Sequence, residues 1–211
     1  FINVLPYFRK LETDTDIRDD FHGFDGPIPV RRHKREDWLP LQEAFFGACV
    51  SAGYPETYDH NHPDATGVGP IPMNNPNGIR MSTALTYINP NRHRMNLTIR
   101  ANVQVQRILF EGKRATGVEV ESGGERFVVE GDLIVLSAGA IASPQLLMLS
   151  GIGPKIDLEG LQVQLVHDSP GVGRNMKNHP AVSLRFRPID GYALEEDSPR
   201  NQAALRFTAS G

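Results

Sequence analysis

The sequence contains one cysteine in 211 residues, so no internal disulfide is available to it. Cys49 lies in the apolar stretch FFGACVSAG, which suits a buried structural thiol rather than a nucleophile. No run of eighteen apolar residues occurs, which excludes a membrane-spanning helix on length. Charge of one sign is also missing: 22 Lys and Arg stand against 25 Asp and Glu, a net charge of −3. Such a balance gives neither nucleic acid nor an anionic membrane an electrostatic reason to bind. The opening residues FINVLPYFRK lack the charged region, apolar region and cleavage site of a signal peptide, and they lack an initiator Met. Thr208-Ala209-Ser210-Gly211 brings no visible close to a fold, so both ends are expected to be cuts through a longer protein. What remains is the composition of one or two globular domains, 39% hydrophobic and 22% charged, with 20 glycines and 16 prolines that signal many loops.

The most informative stretch is DLIVLSAGAIASPQLLMLSGIGP, Asp132 to Pro154. Leu133 to Leu136 is a short apolar run with β-branched residues, and it predicts a strand buried on both faces. Ser137 to Ala140 is all small, and Gly139 lets another group approach the backbone. Ser143 and Pro144 read as an N-cap and a first helical residue, with a short helix over 145–149 and Gly151 as a left-handed C-cap. Strand, small-residue loop and helix together leave free backbone N–H groups where a phosphate or cofactor edge could sit. An ordinary joint in an α/β domain has the same features.

Before this stretch the pattern changes several times. Val4, Leu5, Phe8 and Leu11 repeat at helical spacing, with a kink or a helix start expected at Pro6. Leu11 to Asp20 reads as an exposed loop, and FHGFDGPIPV (21–30) as a turn-rich entry to a short strand in which His22 is a loop or capping histidine. The basic run RRHKR (31–35) reads as a solvated connector. Positions 38, 41, 45, 48 and 49 share a helical face that should pack on a core, the helix ending at Gly53. Residues 54–77 have no period and read as a long surface loop, of the kind that forms lids or binding loops. Asp59, His60, His62 and Asp64 fall in it, but without a recognisable ligand spacing, so no metal is expected. Ser82 reads as a helix N-cap rather than a nucleophile, since no base is evident beside it.

From Asn96 the period becomes two. Leu97, Ile99, Ala101 and Val103 alternate with polar residues, and 105–110, 116–120 and 126–130 read as a β-meander turning at 111–114 and 122–124. After the central stretch, 161–166 reads as a short strand and 181–188 as another, with Val182, Leu184 and Phe186 alternating. Residues 189–211 read as loop without a motif.

The fifteen residues Gly139 to Gly153 resemble, at every constrained position, the second signature of the glucose–methanol–choline (GMC) family of flavin oxidoreductases. His22-Gly23 with Gly26-Pro27, Arg80 to Ala84 and Asn96 to Val120 are similar to further family segments. Residues 170–179 resemble the family's P-G-V-G-x-N-L-x-D-H, with Met176 in place of Leu and Asn178 in place of Asp. Asn178 still accepts a hydrogen bond but carries no charge, and a structural turn is the expected role of Asn178 and His179. The likeness covers the whole chain but only the middle of a family member.

The resemblance implies a mixed α/β (α+β) fold: part of an FAD-binding, Rossmann-like domain with a β-meander, plus part of a substrate-binding domain. Residues 1–95 would belong to the substrate side with its connecting helices, 96–180 to the flavin side, and 181–211 would return to the substrate side. FAD is the implied cofactor. The Val105 backbone would meet the adenine edge, Ala138 and Gly139 would lie beside the cofactor, and Tyr58 and His60 would be substrate-side contacts. No catalytic residue is assigned. The family's strand-to-helix G-x-G-x-x-G and its C-terminal catalytic histidine have no counterpart here, and none of the seven histidines is promoted to replace them. The implied activity is that of a choline- or alcohol-dehydrogenase-like enzyme: a small or aromatic alcohol loses hydride from its CH–OH group to FAD, in a cytoplasmic or membrane-peripheral setting. The expected partners are the alcohol and the missing N- and C-terminal segments of the same protein. The competing reading is a catalytically inert piece that acts only in structure or partner binding. A nicotinamide enzyme is disfavoured, because its fingerprint loop is missing.

Overall fold

The structure is a computed structural model that describes residues 1–187, 189, 191, 198–199 and 201–208. In chain order the elements are α1 (Leu5–Leu11), β1 (Glu12–Asp14), β2 (Ile28–Val30), α2 (Pro40–Ser51), β3 (Gly67–Pro70), α3 (Asn89–Asn91), β4 (Gln104–Glu111), β5 (Arg114–Ser122), β6 (Glu125–Glu130), α4 (Gly139–Leu149), β7 (Ile152–Gly153), α5 (Lys155–Gly160), β8 (His167–Asp168) and β9 (Ala203–Arg206). They divide into two compact units, 1–97 with 187–211, and 98–186.

The first unit rests on two small ribbons. β1 and β2 pair in parallel, Thr13 opposite Pro29, and β3 pairs antiparallel with β9, Val68 opposite Leu205. Helix α2 lies on the second ribbon: Phe46, Cys49 and fully buried Val68 form the core, with Trp38, Tyr54 and Leu205 around them. Pro40 opens α2 at a position where a missing N–H costs nothing. The cap comes from far along the chain. Buried Gln202 accepts from Leu39 N–H at 2.8 Å and donates to the Asp37 carbonyl at 3.0 Å. Cys49 is buried as expected, but the buried face of α2 runs through Phe46 and Cys49, while Leu41, Phe45 and Ala48 are exposed. The helix is apolar on most sides, so its spacing selects no face and the ribbon beneath it does.

Three further expectations fail in this unit. The 11–20 loop contains β1, the 54–77 loop contains β3, and the 189–211 loop contains β9. Each is a strand of three or four residues held by a distant partner, and so short a strand leaves no periodic trace. Within 189–211, residues 190, 192–197, 200 and 209–211 lie outside the described residues. Ser82 is not a side-chain cap: its carbonyl accepts from Leu85 and Thr86 N–H, and the following turn over Ala84–Ile88 is a wide π-type turn.

The second unit is built on the expected meander, a three-stranded antiparallel sheet in the order β4-β5-β6. Ile108 and Val120 are buried on it. Ser150, just past α4, ties helix to sheet, because its Oγ accepts from Ile108 N–H at 2.8 Å and donates to the Leu146 carbonyl. Gly151 then takes φ +88°, the expected left-handed C-cap, and an added Cβ there would lie 2.3 Å from the Gln164 carbonyl oxygen. β7 and β8 pair in parallel across α5, which fully buries Leu158. The strand expected at 161–166 therefore lies slightly later, at His167–Asp168, where β7 offers it a partner.

Three predicted strands do not form: 97–103, 133–136 and 181–187 run without ladder partners among the described residues. Leu133 is 82% exposed, and Val135, Val182, Leu184 and Phe186 are also largely bare. The cause is backbone satisfaction. An extended segment needs a neighbour to take its N–H and C=O groups, and none lies beside these. The end of the third prediction, Pro188, is outside the described residues.

Candidate functional site

The head of α4 carries the sequence signature. The helix begins at Gly139 rather than after Ser143, so Ser143 is not its N-cap and Pro144 lies inside it. Ser143 instead accepts a bond from Ala138 N–H through Oγ at 3.1 Å, which folds the loop back over the first turn. Five residues, Gly139 to Ser143, thereby join the helix, and Pro144 leaves the Ala140 carbonyl without its usual donor. Gly139 takes φ +87°, and a Cβ there would meet nothing within 4 Å. The N–H groups of the first turn have no acceptor within the helix. Next to them runs an open, mainly apolar groove of about 770 Å³, lined by Ala140, Ile141, Gln145, Met148 and Val163 and carrying Arg174 and Lys177. No carboxylate lines it. Arg174 is held by Asp157 at 2.6 Å. An unpaired helix start, a bare glycine and two cations suit a ligand that is part apolar and part anionic.

Val105 lies apart from this groove, on β4 opposite Val120. The register shifts at once to Arg107 opposite Glu119, so Gln106 sits in a bulge. β4 is an edge strand, and its outer side pairs with no other strand among the described residues. Asn178 Oδ1 accepts from His179 N–H at 2.8 Å, and both residues are exposed.

Tyr58 and His60 belong to the first unit. Tyr58 is 87% exposed. His60 Nε2 lies 3.2 Å from the Gly69 carbonyl and 3.1 Å from the Ala204 carbonyl, so it donates to β3 and β9 together. Beside them is a group of charges that sequence reading missed. Asp14 and His22 are each 1% exposed, and Arg32 and Asp59 are also buried. Arg32 Nη1 grips both oxygens of Asp14, at 3.0 and 2.8 Å, and its Nη2 meets Asp59 Oδ1 at 2.6 Å. His22 Nδ1 is 2.7 Å from Asp19, and its Nε2 is 3.2 Å from Asp59 and 3.7 Å from Asp14. Arg32, in the expected solvated connector, and the loop histidine His22 are therefore parts of a buried ion network, while Lys34 and Arg35 of the same run stay exposed. One signal pointed to it: Arg32 lies two residues beyond buried Val30, on the same face of an extended chain.

The network shifts its own acids. Burial pushes the Glu12 carboxyl up, against the bond it receives from Gly23 N–H. Burial also pushes Asp19 up, but bonds from the His22 ring and the Phe21 amide outweigh it and hold Asp19 below the usual range. Burial disfavours the charge on Arg32, and the bonds to Asp14 and Asp59 more than restore it. Glu12, Asp14 and His22 offer three ligand atoms within 4.8 Å of one another. Asp14 is already engaged by the Arg32 guanidinium, so the group holds a cation of its own.

Comparison with known proteins agrees with the signature. The sequence profile of the family described as GMC oxidoreductase matches residues 2–181. An uncharacterised GMC-type oxidoreductase of Rhodococcus erythropolis is 40% identical over 205 residues, which are 97% of this chain and 42% of that protein. An oxygen-dependent choline dehydrogenase of Pseudomonas putida is 43% identical over 220 residues, 100% of this chain and 39% of the relative. The chain thus spans about two-fifths of the length of these relatives. Among solved structures, pyridoxine 4-oxidase from Mesorbium loti matches with a TM-score of 0.76 and 36% identity, over 81% of this chain and 33% of that one. An FAD-dependent oxidoreductase from Chaetomium thermophilum matches with a TM-score of 0.75 and 28% identity, over 81% of this chain and 32% of that one. Among the described residues no helix is long and apolar enough to cross a membrane. With the signature helix, the meander before it and a profile match over most of its length, this chain belongs to the GMC oxidoreductase family.

Proposed function

We propose that the whole protein is an FAD-dependent oxidoreductase acting on the CH–OH group of a small or aromatic alcohol. Within this family, the observation that carries the reading is the head of α4, where the first-turn N–H groups have no acceptor within the helix and Gly139 has open space at its Cβ position. A dinucleotide cofactor needs such a close approach and an electropositive backbone at its phosphates. The residues present fit that group. Ala138 and Gly139 would hold its edge through their backbone. Val105, on the edge strand β4, would offer the adenine rim a donor and an acceptor. Bound FAD supplies the hydride acceptor for alcohol oxidation. The chain's own contribution is to bind and orient, and we assign it no catalytic base.

On this reading 96–180 is part of the flavin domain, and 1–95 with 181–211 is part of the substrate domain, where Tyr58 and His60 face the substrate side. The remaining partners are the alcohol and the other segments of the same protein. On the same reading the setting is cytoplasmic or membrane-peripheral. The test is a visible absorption spectrum of the purified protein, followed by anaerobic addition of choline, pyridoxine or benzyl alcohol. The expected result is an oxidised-flavin band that at least one alcohol bleaches. Gly139→Val should lower the flavin content about tenfold or more, since a branched side chain meets both the left-handed backbone and the cofactor edge. A protein with no flavin band, and no gain on adding FAD, would overturn the reading.

A further inference from the structure

We infer that Arg32 is a positioning residue: acting through Asp59, it fixes the segment 57–60 so that Tyr58 is presented to the substrate. The inference rests on the reading above, in which this part of the chain bounds the substrate side.

The segment is anchored on both sides of Tyr58. Before it, Thr57 N–H donates to the Val68 carbonyl on β3 at 2.9 Å. After it, Asp59 Oδ1 accepts from Arg32 Nη2 at 2.6 Å and from Asn61 N–H at 2.9 Å. His60 follows with its bonds to β3 and β9. Tyr58 alone is untied. It is 87% exposed, and among the described residues its ring and phenol make no hydrogen bond or ring contact. A tyrosine ring usually lays its apolar body on a neighbour and keeps its hydroxyl wet. Here the backbone is fixed and the side chain is left bare, in a segment that lines two clefts of about 590 and 490 Å³. Such an arrangement lowers the ordering cost of a contact made later.

Arg32 is the only group of the network that bridges Asp14 on β1 to Asp59 in this segment with direct charge-assisted bonds on both sides. A guanidinium can do this because its donors diverge in one plane. A lysine ammonium in the same place can serve one carboxylate well, but not both.

The test is a double-mutant cycle in the full-length holoenzyme. Arg32→Lys, Tyr58→Ala and the double variant are assayed with benzyl alcohol, choline and pyridoxine, and amide hydrogen exchange is followed over 57–61. Arg32→Lys should raise KM about tenfold with kcat nearly unchanged, the scale of coupling between groups that share a site. Exchange over 57–61 should quicken in the same variant. Tyr58→Ala should raise KM alike, and Arg32→Lys should add little in the Tyr58→Ala background. If the KM effect of Arg32→Lys persists undiminished there, or if kcat falls instead, Arg32 does not act through Tyr58 and the inference is overturned. Should Arg32→Lys not fold, Asp59→Asn takes its place in the cycle with the same expectations. If no alcohol reduces the wild-type flavin, the functional reading fails by itself. Unchanged exchange over 57–61 would then still overturn the clamp, and faster exchange would support it.

Discussion

The two units keep opposite things inside. The first buries Asp14, His22, Arg32 and Asp59 against a small core of Phe46, Cys49 and Val68. The second buries Ile108, Val120 and Leu158, but leaves Leu133, Val135, Ile141, Val182, Leu184 and Phe186 largely bare. In the first, the buried charges form ion pairs with one another, although His22 Nε2, Arg32 Nε, Asp59 Oδ2 and Asn75 Oδ1 are buried without a hydrogen-bond partner. In the second, apolar groups outside stay uncovered. Isolated exposed apolar residues are ordinary, but bare residues grouped in two segments that read as strands, 133–136 and 181–187, are not. The contrast indicates that the first unit closes on itself at its ion network, while the second leaves two strand-like segments uncovered. This agrees with a chain that spans about two-fifths of its relatives.

The largest expected effect tests the closed side. Arg32→Gln keeps most of the volume but leaves Asp14 and Asp59 buried without their cation, so it should cost about 3–5 kcal/mol in chemical denaturation. A loss under about 1 kcal/mol would mean that water reaches these carboxylates and that the first unit is not closed there. Next is the tie between helix and sheet in the second unit. Ser150→Ala removes the acceptor of the buried Ile108 N–H and should cost about 1–3 kcal/mol. If it costs nothing, α4 and β4 are held by apolar contact alone.

A smaller effect is read in pH. Asp19 is held below its ordinary value in the folded state, so its stabilisation is present at neutral pH and is lost as the pH falls through the depressed value. Asp19→Asn should therefore flatten the acid side of a stability-against-pH curve. Because Asp19 is more than a third exposed, solvent keeps the change small. Glu12 works in the other direction. Burial raises its carboxyl, so the favourable, protonated form is present at low pH and is lost as the pH rises through the raised value. Glu12→Gln should remove that loss and slightly stabilise the fold above it. Both curves can be followed by the same denaturation midpoints, and an unchanged acid side in Asp19→Asn would remove Asp19 from the network.

How much of this was legible follows the same division. The meander was, because strands of six to nine residues with tight turns leave a period of two. The Gly151 cap was legible because only glycine accepts that backbone so cheaply. β1, β3 and β9 were not, since each is short and paired with residues far along the chain. The ion network was hidden for another reason. Composition treats charge as surface, and only the tertiary arrangement brings Arg32 to Asp14 and Asp59, 18 and 27 residues away. At the α4 head the local signals were real but placed the helix start five residues late, because Ser143 serves Ala138 rather than the helix end.

The smallest expected effect tests the open side most sharply. Leu133 was read as a buried strand residue and stands 82% exposed. In the 211-residue chain, Leu133→Ser should change stability by less than about 0.5 kcal/mol, as for any surface position without partners. In a chain extended to the length of the relatives, the same change should cost about 3 kcal/mol, if neighbouring strands then cover 133–136 and the hydroxyl must be buried. Denaturation midpoints of the two chains, each with and without the substitution, measure the difference directly. Equal and small changes in both would mean that the apolar run is never covered. The opening of the second unit would then be a property of the fold itself, and the strand-like pattern of 133–136 would need another cause.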